Sequence, residues 1–81
     1  METGMKTPND RFGVIAMPSL TYALQGESLL QNEGIYARVI KLPAGATKKG
    51  CAYGLEVDSR MLNEAAALID RKGVKRGELL P

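Results

Sequence analysis

The feature that most constrains the fold of this 81-residue chain is a change of hydrophobic period along its length. Apolar residues recur at steps of three and four in residues 19–32 and 59–72, as they do on one face of a helix. Short apolar or alternating runs, typical of strands, lie before, between and after these segments. Because two such runs separate the two helical segments, the sequence predicts the order β-α-β-β-α. Residues 74–80 are a weaker candidate for a short final strand, since Gly77 disfavours a strand there.

The first strand and the first helix are predicted on either side of a proline. Residues 12–17 form a nearly continuous apolar run, and Pro18 ends it because proline has no N–H to donate to a sheet. Ser19 is the candidate N-cap of a helix that runs to about Asn32. Gly34 is expected to stop that helix in a left-handed conformation. The expected inward stripe of the helix consists of Leu20, Ala23, Leu24, Glu27 and Leu30.

Two strands and a long loop are predicted before the second helix. Residues 35–42 alternate as a half-buried strand does, and residues 53–57 form the third strand. The loop between them, residues 43–50, is longer than a typical hairpin turn, which indicates a binding loop. Asp58 or Ser59 is expected to cap the second helix, which continues to about residue 72.

These elements predict an α+β fold of the ferredoxin-like type. The first and second strands are joined by a helix, so they are parallel and linked by a right-handed crossover. The third strand then lies between them, antiparallel to both, which gives a two-layer sandwich with both helices on one face of an antiparallel sheet. Residues 11–81 are expected to form this single domain, and residues 1–10 a disordered N-terminal lead-in.

The composition is that of an ordinary globular protein, with 44% apolar and 25% charged residues. No apolar run approaches the roughly 20 residues of a membrane span. The first ten residues lack the basic and apolar regions of a signal peptide, so the expected location is cytoplasmic. A single cysteine excludes an internal disulfide.

That cysteine, Cys51, is the main candidate for chemistry. In the predicted sheet the start of the third strand lies beside the end of the first, which places Cys51 near the N-terminus of the first helix. The partial positive charge there, together with Lys48 and Lys49, favours the nucleophilic thiolate. Gly50 completes the candidate binding loop. The chain has no histidine, which excludes a cysteine-histidine dyad, and the alternative is an inert, buried thiol that serves as a small apolar side chain.

Several of these features occur together in a known family. They are Pro18-Ser19 opening a helix, Ala23-Leu24 followed by Glu27 and Leu30, Gly34-Ile35, a strand ending in Leu42-Pro43, and Cys51 before an apolar strand. Over residues 12–73 the chain thereby resembles a family of small uncharacterised proteins described as selenium/sulfur carrier-like. Members often have glycine directly after the cysteine, commonly after serines, whereas Ala52 follows here and lysines precede.

The resemblance implies a carrier that holds sulfur or selenium as a persulfide or selenosulfide on Cys51. Lys48 and Lys49 would assist electrostatically, and Ser19 with the helix start would supply hydrogen-bond donors. The implied partners are proteins that donate and accept sulfur or selenium. A carrier or binding protein is favoured over a stand-alone enzyme.

The alternative function is a non-enzymatic, regulatory or small-anion-binding module. The helix start and the lysines suit an anion such as phosphate without any thiol chemistry. Ferredoxin-like domains also pair through their sheets or helices, so a homodimer belongs to this hypothesis.

Nucleic-acid and metal binding are less favoured. Tyr36 and Tyr53, in adjacent strands beside Arg38 and Lys41, suggest a base-stacking surface, but the net charge is only +2 and the aromatic-rich strand of RNA-recognition domains is missing. One cysteine without histidine cannot form a closed zinc site. Glu56 and Asp58 share a strand face, yet two carboxylates are a weak basis for calcium or magnesium. No metal or other cofactor is therefore expected.

Overall fold

The computed structural model describes residues 11–80, so the predicted lead-in, residues 1–10, lies outside the described residues. The elements are β1 (Phe12–Met17), α1 (Leu20–Asn32), β2 (Ala37–Lys41), β3 (Tyr53–Asp58), a 3₁₀ turn (Ser59–Met61), α2 (Leu62–Arg71) and β4 (Leu79–Leu80). The predicted order β-α-β-β-α is confirmed. The final strand is present but only two residues long.

The four strands form one sheet in the order β2-β3-β1-β4, and all neighbouring strands are antiparallel. β3 therefore lies between β1 and β2, as the crossover argument predicts. The pairing of β1 with β3 runs from Phe12 opposite Asp58 to Met17 opposite Tyr53. Residues 11–80 thus form an α+β fold with two α-helices and a four-stranded antiparallel sheet.

One hydrophobic core lies between the helices and a single face of the sheet. Alternate residues of β1 and β3 point into it, because successive side chains of a strand face opposite sides. β1, β3 and both helices contribute its largest fully buried side chains, which are Ile15, Met17, Leu30, Leu55, Val57 and Ile69. Tyr53 packs against the same core, as the alternation predicts.

The inward stripe of α1 differs from the predicted one. Leu20 and Leu24 are 43% and 50% exposed, whereas the buried residues of this helix are Ala23, Gly26 and Leu30. Gly26 explains the difference, because a Cβ built there would lie 2.7 Å from Leu55 Cδ1. The helix therefore approaches the sheet along its smallest residue, which turns the two leucines toward solvent.

Side chains of α1 also bind the backbone of β2, which is an edge strand. A carboxylate oxygen of Glu27 accepts a hydrogen bond from Val39 N at 2.9 Å. Gln31 Nε2 donates to Ala37 O at 3.0 Å. Edge strands carry unpaired polar groups that invite other strands, and these two bonds occupy part of that edge. Glu27, predicted as part of the apolar stripe, thus has a polar role.

The prediction for the C-terminal end of α1 is confirmed, whereas the one for the N-terminal end of α2 is wrong in its capping residue. Gly34 follows α1 with φ of +78°, the left-handed stop that the sequence indicates. Asp58 does not cap α2; its carboxylate accepts from Arg60 N at 2.9 Å and caps the 3₁₀ turn instead. α2 then begins at Leu62, after Met61, whose side chain makes no capping hydrogen bond.

Candidate functional site

Cys51 lies two residues before β3 and its side chain is half-buried. Its backbone N–H donates to Thr47 Oγ1 at 2.8 Å. Thr47 is itself buried, with 8% of its surface exposed. The threonine hydroxyl therefore fixes the backbone that carries the thiol, a role that the sequence analysis missed.

The segment leading into β4 forms a second side of this site. Gly77 N donates to Ala16 O, and Ala16 N donates to Glu78 O at 2.9 Å, so this segment pairs with β1. A Cβ built on Gly77 would lie 3.3 Å from Cys51 Sγ and 3.3 Å from Ala16 Cβ. The absence of a side chain at Gly77 thus gives the thiol its space. A glycine inside a strand-like run often marks such a close approach, and this was the available signal in the sequence.

The loop of residues 43–50 is folded by short turns and is tied to the same segment. Ala46 N donates to Pro43 O at 3.1 Å, and Gly50 N donates to Thr47 O at 3.3 Å. Lys48 N donates to a carboxylate oxygen of Glu78 at 3.0 Å. Gly50 has φ of +74°, which favours glycine, so this residue shapes the backbone directly before Cys51.

The loop that precedes Cys51 is surrounded by less positive charge in the fold than its sequence indicates. Lys48 and Lys49 are exposed, as is Lys41 at the end of β2. Residues 34–55 contain no acidic residue, but the fold brings Glu78 against the loop. The positive potential near Cys51 is therefore partly offset by a carboxylate 30 residues away in sequence from Lys48.

Ser19 is the N-cap of α1, as predicted, and its Oγ accepts a hydrogen bond from Tyr22 N at 3.2 Å. Met17 pairs with Tyr53, so Ser19 and Cys51 each lie two residues beyond that pair, at the same end of the sheet. The contacts of Cys51 described above are with Thr47 and with the Cβ position of Gly77. The hydroxyl of Ser19 caps α1.

The sequence profile of a family described as "Putative Se/S carrier protein-like" matches residues 12–81. The chain belongs to this family. The resemblance inferred from residues 12–73 is thereby confirmed, and the match extends through the segment that contains Gly77 and Glu78. No curated protein and no solved structure matches the chain. The family description concerns selenium and sulfur, and Cys51 is the single thiol in this Se/S carrier-like chain.

The predicted pair of Tyr36 and Tyr53 does not form one base-stacking surface in this Se/S carrier-like protein. Tyr53 packs on the core, whereas Tyr36 is exposed on the opposite face of the sheet. There Tyr36 contacts Phe12, with ring centroids 5.7 Å apart, and its hydroxyl donates to a carboxylate oxygen of Glu56 at 3.0 Å. Partial burial and this hydrogen bond raise the pKa of Tyr36 above its usual value of 10.0. The two tyrosines therefore cannot stack bases together.

Glu56 and Asp58, the two carboxylates considered as metal ligands, bind other side chains. Glu56 binds Tyr36 and lies 4.0 Å from Arg38 Nε. Asp58 accepts from Arg60 Nε at 3.2 Å and Nη2 at 2.9 Å, and these hydrogen bonds lower the pKa of Asp58 to about 2. Within residues 11–80, no cluster of three or more potential metal-ligating side chains occurs. Among the same residues, neither helix has the length and apolarity to cross a membrane.

Proposed function

We propose that this Se/S carrier-like protein carries sulfur as a persulfide on Cys51 and delivers it to a partner protein. The observation that carries the proposal is the family match over residues 12–81, which contains a single thiol on a hydrogen-bonded loop. Half-burial suits this task, because a persulfide must be protected between partners and still be reachable. A selenosulfide on the same atom is the selenium equivalent.

Loading requires no oxidant beyond the donor itself. The Cys51 thiolate attacks the outer sulfur of a donor persulfide and forms a new S–S bond. The S–S bond of the donor breaks, and its electron pair leaves with the donor thiolate. Delivery is the same exchange, with the acceptor thiolate attacking the outer sulfur on Cys51. The number of disulfide-level bonds is unchanged in each step.

The surrounding residues support a carrier in distinct ways. Thr47 fixes the Cys51 backbone, and Gly50 provides the left-handed turn before it. Lys48 and Lys49 would attract the anionic persulfide of a donor, and Ser19 with the start of α1 would supply further polar groups at this end of the sheet. We further propose that the fold is ferredoxin-like, because two helix-connected strands flank β3 in an antiparallel sheet.

The test is sulfur loading of the folded protein. The pH dependence of Cys51 alkylation is measured first, and the protein is then incubated with a persulfide donor and analysed by mass spectrometry. We expect a mass increase of one sulfur atom that dithiothreitol removes. Cys51→Ser is the matched control and should gain no mass while keeping its circular dichroism. A wild-type thiol that accepts no sulfur from any persulfide donor contradicts the proposal.

A small-anion-binding module is the second candidate, favoured by the exposed lysines of the loop. Phosphate titration monitored by NMR tests it in the wild type and in Lys48→Gln/Lys49→Gln. Binding that survives Cys51→Ser but is lost in the double lysine variant, without sulfur loading of the wild type, would assign the anion-binding function instead.

A further inference from the structure

We infer that residues 76–78, here called the strap, control access to the Cys51 thiol, and that Arg76 is the residue that positions the strap. The inference concerns regulation of the proposed carrier site and rests on that function for its biological meaning. The strap lies directly against the thiol, because the Cβ position of Gly77 is 3.3 Å from Cys51 Sγ.

Arg76 ties the strap to the end of α2. Its Nε and Nη2 donate to the two carboxylate oxygens of Asp70, both at 2.9 Å. The third donor, Nη1, bonds to Gly77 O at 3.0 Å. One guanidinium therefore binds both an anchor on α2 and the glycine beside the thiol. Bidentate pairing fixes the orientation of an arginine as well as its position.

Glu78 ties the other end of the strap to the loop that carries Cys51. Its carboxylate accepts the N–H of Lys48, and its own carbonyl accepts from Ala16 N. Thr47 thus holds the backbone of Cys51 on the loop side, and Gly77 lies against its Sγ on the strap side. A partner that reaches Cys51 from the side of the strap must move residues 76–78.

The tie between Arg76 and Asp70 is weak enough for a partner to release. The Asp70 side chain is 51% exposed, and exposed ion pairs hold their partners only loosely. A partner that competes for Asp70 or Arg76 would remove this tie and loosen the strap, which would then be held by Glu78 and by its backbone hydrogen bonds to Ala16. The device would therefore couple docking of a partner to exposure of the carried atom.

The experiment measures the rate of Cys51 alkylation by iodoacetamide, a neutral reagent that the lysines do not attract. We expect Arg76→Ala to react about two- to five-fold faster than the wild type, the range expected from loss of an exposed ion pair. Asp70→Asn should act in the same direction, and the two changes should not add, because they break one contact. Arg76→Lys should restore part of the protection, and high salt should accelerate the wild type but not Arg76→Ala.

Arg60→Ala is the matched control, since Arg60 also makes an ion pair with an aspartate, Asp58, at 2.9 Å. That pair lies at the other end of β3, about 17 Å from Tyr53 at the start of the strand, at roughly 3.3 Å per residue. Its loss should leave the alkylation rate unchanged, and all variants should react equally in denaturant. Equal rates for wild type, Arg60→Ala and Arg76→Ala in the folded state would overturn the inference.

Sulfur loading separates this inference from the proposed function. Faster alkylation of Arg76→Ala in a protein that accepts no sulfur supports the strap and contradicts the carrier. Normal sulfur loading with identical alkylation rates contradicts the strap and leaves the carrier function standing.

Discussion

At the scale of single residues, the surroundings of Cys51 depend on two small neighbours. Gly77 leaves space beside Sγ, and the Thr47 hydroxyl holds the Cys51 backbone. Neither residue belongs to a recognised motif for thiol chemistry. Their roles follow only from the distances that the fold creates.

Gly77→Ala should make the thiol harder to reach. The new Cβ would lie 3.3 Å from Cys51 Sγ, Ala16 Cβ and Ala16 O, so the neighbours must shift by a few tenths of an ångström. We expect several-fold slower alkylation of Cys51 in the folded protein, measured with iodoacetamide at fixed pH. The rate in denaturant should equal that of the wild type. A faster folded-state rate would mean that the extra methyl group opens the strap instead.

Thr47→Val should destabilise the loop before Cys51. Valine keeps much of the shape of threonine but removes the oxygen that accepts the Cys51 N–H. We expect a loss of about 1 kcal/mol in the free energy of unfolding, the typical contribution of one hydrogen bond. Urea unfolding provides the measurement. Thr21→Val, on the exposed side of α1, is the control and should change stability less.

At the scale of secondary-structure elements, the contact between α1 and the sheet depends on Gly26. Helix propensity alone disfavours glycine at this position by up to about 1 kcal/mol relative to alanine. Packing has the opposite preference, because the Cβ of any other residue would meet Leu55 Cδ1 at 2.7 Å. The position of α1 on the sheet is therefore a compromise in which packing prevails.

Gly26→Ala should destabilise the protein despite the better helix former. Overpacking a filled core costs typically about 1–3 kcal/mol, which exceeds the gain in propensity. Ser28→Ala, at an exposed position of the same helix, tests propensity without the contact and should be neutral or stabilising. Urea unfolding of both variants compares the two effects. An equal gain in stability for both would show that α1 can move away from Leu55.

At the scale of the whole molecule, the sheet has one face covered by both helices and ion pairs near both ends of β3. Asp58–Arg60 lies where β3 ends, and Arg76–Asp70 lies near the thiol. The first pair affects stability as a function of pH. The second affects the proposed site.

The Asp58–Arg60 pair should contribute to acid sensitivity. The pKa of Asp58 is about 2 in the folded protein, below the value of 3.8 for the free side chain. The pair therefore stabilises the fold above pH 3.8, and this contribution is lost as the pH falls from 3.8 to about 2. Wild type should have a larger free energy of unfolding than Asp58→Asn at neutral pH, and this difference should vanish near pH 2. Urea unfolding across this range measures it; a difference that is independent of pH contradicts the assignment.

Local patterns in the sequence were enough to predict the order of the elements, the bounds of β1 and α1, the alternating faces of β2 and β3, and the caps at Ser19 and Gly34. These features depend on hydrophobic period, capping hydroxyls and left-handed glycine, which act within a few residues of one another. The family was recognisable for the same reason, since its signature is a linear arrangement of such features.

The residues around the thiol and the buried face of α1, in contrast, follow from how the elements pack together. Gly77 reaches Cys51, and Glu78 reaches Lys48, because the segment before β4 pairs with the end of β1, and that end lies beside the start of β3. By hydrophobicity alone, Leu20 and Leu24 would belong to the buried face of α1. Close packing against Leu55 places Gly26 there instead. Sequence patterns record the period of a segment, whereas the distance between segments is set by how their side chains pack.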